Sequence, residues 1–151
     1  MEQLFAGRNI DISAAHQRMK RLMAEEGLLY GKRTHTYNSR LAQELAVWAE
    51  TQAGATIHRA LFLAYFVDGQ NLGSKDVLLA TVRKIGLSIE EADLVLADRK
   101  FREHVDRDWA LSHQYQITGV PTFVADGRGV SGAQSYETLE QLVIAAGAIP
   151  R

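Results

Sequence analysis

The stretch ITGVPTFVADGRGVSGAQ, Ile117 to Gln134, decides how this chain is read. Val120-Pro121 leads into the apolar run Thr122–Ala125. Asp126-Gly127 follows, and both residues tolerate positive φ, so the pair is a strong signal for a tight hairpin turn. Val130-Ser131-Gly132 reads as a short returning strand. Phe123 and Ala125 fall on one side of the first strand and Thr122 and Val124 on the other, which suggests packing on both faces. A two-stranded hairpin is only marginally stable alone. The pattern therefore predicts a larger sheet, or an edge that invites another chain.

Outward from this stretch the grammar is helical. Downstream, Ser135 is placed to cap a last helix carrying Leu139, Leu142, Val143 and Ala146, with Gly147 as its stop. Upstream, Asp11 is a cap candidate for a helix through Ile12, Ala15, Met19, Leu22 and Met23, ending at Gly27. Asn38, with Ser39 near the cap, opens a second helix through Leu41, Leu45, Trp48 and Ala49 toward Gly54. A third runs from about Ala55 to Val67 with Ile57, Leu61, Ala64 and Tyr65 inward. Ser74 caps a stripe of Val77, Leu78, Val82 and Ile85 closed by Gly86. Ser88 and Glu91 have capping-box spacing. The helical pattern then continues through residues 100–116. Other strands are hard to find; Gln3–Phe5 and Leu28–Tyr30 are the two candidates.

Composition bounds the rest. The 151 residues suit one domain, or one domain with a subdomain, and 46% hydrophobic with 23% charged residues supports a sizeable core. Net charge is −1. No basic stripe advertises nucleic acid or anionic lipid, so neither is expected as a partner. MEQLFAGRNID lacks a basic region followed by an apolar run, and ALFLAYFV (Ala60–Val67) is too short to span a bilayer; a cytoplasmic setting is expected. The chain has no cysteine, which removes disulfides, thiol nucleophiles and Cys-x-x-Cys chemistry from its own residues.

Few residues have the spacing of a site. His16, His35, His58, His104 and His113 show no zinc-protease pattern, and no metal or cofactor is expected. Glu90, Glu91 and Asp93 are explained by a helix N-terminus. Ser131, Ser135 and Ser39 lack a nucleophile context, and the glycines lack phosphate-loop spacing. The aromatics Trp48, Phe62, Tyr65, Phe66, Phe101 and Trp109 read as core residues before they read as a groove.

Five runs, in order, carry a resemblance: YNSRLAQELAVWAE (Tyr37–Glu50), ALFLAYFVDGQNLG (Ala60–Gly73), VLLATVRKIGLS (Val77–Ser88), ITGVPTFV (Ile117–Val124) and SGAQSYETL (Ser131–Leu139). With them the chain resembles the DsbA family of thioredoxin-fold proteins, in its FrnE-like branch, from about Gly7 onward. The resemblance implies a predominantly helical α/β fold. Residues 1–10 would be an N-terminal remnant, 11–116 the helical insertion and connecting helices, and 117–151 the closing half of an incomplete thioredoxin-like fold. It implies that Pro121 follows a cis bond and that Val120 and Pro121 dock substrate main chain. It implies disulfide oxidoreductase or isomerase activity for the family, whose Cys-x-x-Cys segment would lie upstream of this chain's first residue. As it stands the chain is expected to be redox-inactive, with a protein or peptide substrate at the Val120-Pro121 loop and a homodimer through the exposed sheet edge. Two alternatives stay open: a thiol-free peptide-binding or self-assembling protein, and a glutathione-dependent isomerase like the related hydroxychromene-carboxylate isomerases.

Overall fold

A computed structural model of the chain describes residues 12–32, 34–52 and 57–149. Seven α-helices and two strands lie among them: α1 (Ile12–Glu25), α2 (Arg40–Glu50), α3 (Ile57–Phe62), α4 (Lys75–Lys84), α5 (Ile89–Ala97), α6 (Arg102–Gln114), β1 (Thr122–Ala125), β2 (Arg128–Ser131) and α7 (Tyr136–Ala145). The chain divides into two compact units, Met1–Val105 and Asp106–Arg151, with the boundary inside α6.

In the first unit α2, α3, α4 and α5 surround a common core. Leu45, Ile57, Leu78 and Val82 are fully buried, with Trp48, Leu61, Ala92 and Leu96 beside them. These are the apolar stripes the helical spacing brings to one face. The capping residues explain where the helices begin. Ser88 Oγ accepts from the Glu91 N–H at the start of α5. The cap of α2 is Ser39, while Asn38 Oδ1 accepts from the Arg40 N–H at 2.9 Å. Gly27 and Gly86, both at positive φ, follow α1 and α4. Of the aromatics expected in the core, Trp48 is buried, whereas Phe62 is 60% exposed and Trp109 also faces solvent.

The structure differs from the sequence reading at four places. Helix α2 stops at Glu50, with Thr51 as its cap; Gly54, like Asp11 and Gln3–Phe5, lies outside the described residues. The third helix changes its winding: α3 gives way to a π-helical turn over Leu63–Val67. The continuous helix read through residue 100 is broken, because Arg99 adopts φ 51° between α5 and α6. Leu28–Tyr30 is irregular rather than a strand; it follows the end of α1, and Gly31 N–H donates to the Phe66 carbonyl instead of to a ladder.

In the second unit the hairpin forms as the Asp-Gly pair requires. Asp126 and Gly127 take φ 47° and 71°, the positive values that match the twist of the flanking strands. The antiparallel register pairs Thr122 with Ser131, Phe123 with Val130, Val124 with Gly129 and Ala125 with Arg128. Ser135 caps α7 by accepting from the Thr138 N–H, and α7 packs along the hairpin, where an Arg128 guanidinium N–H reaches the Ala145 carbonyl. None of the described residues from 106 to 149 is fully buried.

Candidate functional site

The loop between α6 and β1 is fixed at its start by the end of α6. Ile117 N–H reaches back to the Ser112 carbonyl at 3.0 Å while Gln116 turns left-handed at φ 54°, a helix stop usually built on glycine. Gly119 follows with no atom near the position a Cβ would take. The Val120–Pro121 peptide bond is cis.

The polar residues of the same stretch brace this loop. Thr122 Oγ1 donates to the Gly119 carbonyl at 2.7 Å and lies 3.1 Å from Ser131 Oγ. Gly132 N–H donates to the Pro121 carbonyl at 2.8 Å, and the Gln134 side-chain amide donates to the Ser131 carbonyl at 2.5 Å. The carbonyls on either side of Val120 are thus used internally, and Pro121 has no N–H. The N–H and C=O of Val120 itself meet no partner among the described residues, and its side chain is 91% exposed. One free donor, one free acceptor and an apolar tip sit together on a braced loop. Such an arrangement suits the main chain of an extended polypeptide.

Sequence reasoning selected Val120 and Pro121 and missed their supports, Thr122, Ser131, Gly132 and Gln134. The signal was present: all four fall in the quoted stretch, in the runs on either side of the hairpin. At the start of α7, Glu137 accepts from its own backbone N–H and from the Ser135 hydroxyl, which holds its carboxyl below the usual range.

Elsewhere the charged groups make structural pairs. Glu44 is 1% exposed and accepts from two guanidinium nitrogens of Arg99, Nε at 2.8 Å and Nη2 at 2.6 Å, with Arg40 Nε at 3.4 Å. His58 meets Glu50 at 2.8 Å, and His35 takes Thr34 Oγ1 at 2.8 Å while stacking on Tyr37. Among the described residues no group of three or more histidine, aspartate or glutamate side chains is placed to hold a metal ion. None of their helices is long and apolar enough to cross a membrane.

The family model for the DSBA-like thioredoxin domain matches residues 5–143. The chain belongs to the DSBA-like thioredoxin domain family. It is 28% identical over 112 residues to the uncharacterized protein YwbO of Bacillus subtilis (strain 168), a match that covers 72% of this chain and 55% of that protein. Among solved structures it resembles the selenomethionine form of 2-hydroxychromene-2-carboxylate isomerase, with a TM-score of 0.70 and 20% identity over 90% of this chain and 66% of the isomerase. At that identity the likeness is one of fold. This DSBA-like chain thus spans about half the length of its Bacillus relative.

Proposed function

We propose that this DSBA-like chain docks extended polypeptide on the Val120-Pro121 loop, as a member of the FrnE-like branch, and performs no thiol–disulfide exchange with its own residues. The observation that carries the reading is the isolated, exposed peptide unit of Val120, braced on both sides by Thr122 and Gly132. Disulfide exchange proceeds by thiolate attack, and this chain holds no thiol. Any exchange near the loop needs a cysteine that these 151 residues do not supply.

The test uses a fluorescently labelled polypeptide, reduced and carboxymethylated so that it stays unfolded and brings no thiol. It is expected to bind, and Val120→Asp is expected to weaken binding by about tenfold or more, roughly 1.4 kcal/mol. No binding, or equal binding by Val120→Asp, would overturn the docking reading. Reduction of insulin by the pure chain above the uncatalysed rate would overturn the redox part. The second reading, a glutathione-dependent isomerase, is favoured by the fold of 2-hydroxychromene-2-carboxylate isomerase. Titration calorimetry with glutathione separates the two, since only that reading expects heat of binding.

A further inference from the structure

The hydroxyls beside the Val120-Pro121 loop form a chain of hydrogen bonds with a definite direction. Thr122 Oγ1 donates to the Gly119 carbonyl and also lies 3.1 Å from Ser131 Oγ. A threonine hydroxyl carries one hydrogen and two lone pairs. The hydrogen of Thr122 is spent on Gly119, so the Ser131 hydroxyl is the donor to Thr122. The register brings the two side chains together. Gly132 N–H donates to the Pro121 carbonyl, which makes Thr122 and Ser131 a non-bonded pair, the kind whose side chains stand closer. The Ser131 carbonyl is held in turn by the Gln134 side-chain amide. Bonds linked in such a series polarise one another.

The chain ends on the peptide unit between Gly119 and Val120, whose bond is not among the cis peptides. A trans peptide is planar, and its C=O and N–H point in opposite directions. With the Gly119 carbonyl turned in to Thr122, the N–H of Val120 is turned out. On the far side of the loop the Pro121 carbonyl is held by backbone, through Gly132. On the near side the restraint is a single side chain. Packing adds little there: Gly119 is a freely turning residue with no atom within 4 Å of a Cβ position, and the Val120 side chain is exposed.

We propose that Thr122 is a positioning residue for polypeptide docking: its hydroxyl, oriented by Ser131, locks the peptide unit before Val120 and aims the Val120 N–H at a docked strand. The inference rests on the docking reading, because it says what aims a group that docks. The same bond withdraws the Gly119 carbonyl as a competing acceptor, so the pairing groups of the loop belong to Val120 alone.

The test compares the wild type with Thr122→Val and Thr122→Ser in the full chain. Valine keeps the β-branched shape and removes the hydroxyl, whereas serine keeps the hydroxyl. Thr122→Val is expected to weaken binding of the carboxymethylated polypeptide about three- to tenfold, the range of one lost hydrogen bond, and Thr122→Ser to bind as the wild type does. A second readout needs no ligand. The backbone amide order parameters of Gly119 and Val120 are expected at about 0.85 in the wild type and Thr122→Ser, and below about 0.6 in Thr122→Val. Unchanged amide shifts at Ala125 and Arg128 show that the hairpin is kept. Should valine disturb it, Thr122→Ala removes the same hydroxyl. Order parameters unmoved by loss of the hydroxyl, a serine variant as loose as the valine one, or a loosened loop that binds with wild-type affinity would each overturn the proposal. A wild type that binds no polypeptide while its loop loosens in Thr122→Val overturns the docking reading instead, and leaves the hold of Thr122 on Val120 standing.

Discussion

Arg99 stands at φ 51°, a region that non-glycine residues seldom occupy, and in that position its guanidinium forks onto the buried carboxylate of Glu44. A buried charge left without its partner is far costlier than the pair is worth. Arg99→Ala is therefore expected to cost about 2–3 kcal/mol, less than the roughly 3–5 kcal/mol of breaking a fully buried pair, because Arg40 stays beside Glu44 and Arg99 is itself partly exposed. The urea midpoint measures it. The same cluster sets a pH dependence. Hydrogen bonds from Arg99 hold the Glu44 carboxyl below its ordinary 4.5; burial pushes the other way, and the charges of Arg99 and Arg40 add to the lowering. A carboxyl whose pKa is lower folded than unfolded stabilises the fold fully above the unfolded value and loses that contribution as pH falls through the folded one. Stability is thus expected to decline below 4.5, and Glu44→Gln should flatten that acid limb in urea titrations at stepped pH. Glu44 was not legible as a special residue in the sequence. In YNSRLAQELAVWAE it looks like one polar position of an amphipathic helix, and its partner lies 55 residues away.

At the scale of elements, legibility followed local chemistry. Ser88 and Ser135 marked helix starts, Gly27, Gly86 and Gly147 marked stops, and Asp126-Gly127 marked the hairpin, because each acts on its own backbone within a turn, while Ser74 holds the cap position of α4 without a side-chain bond. What escaped was set by distant contacts. The break before α6 falls on arginine rather than glycine, and what it meets is Glu44 of α2. The widened turn Leu63–Val67 likewise has no breaker residue in LAYFV. There the Phe66 carbonyl accepts from Gly31 N–H at 2.8 Å, so the irregular segment after α1 satisfies a carbonyl at the helix end. The approach is so close that a Cβ on Gly31 would run into the Val67 carbonyl, which is backbone and cannot swing aside. Gly31→Ala is expected to destabilise the chain by about 1–3 kcal/mol, the usual cost of forced overpacking. Thermal unfolding followed by circular dichroism checks it, with Gly119→Ala as the control at a glycine whose missing Cβ meets nothing.

At the scale of the whole molecule, stability is unevenly distributed. The first unit holds every fully buried side chain of the described residues, while the second has a hairpin and a helix with no closed core. Local opening costs least where few apolar groups are buried. Native-state hydrogen exchange should therefore place the slowest amides in α4 and α5, around Leu78, Val82 and Leu96, and much faster ones in β1 and β2. Within β1 the register makes a finer expectation. Amides of Phe123 and Ala125 face β2, whereas those of Thr122 and Val124 face outward. The strand should therefore show alternating protection, strong at Phe123 and Ala125 and weak at Thr122 and Val124. Exchange followed residue by residue reads this directly: uniform protection along β1 would mean that the outward amides of Thr122 and Val124 have carbonyl partners of their own.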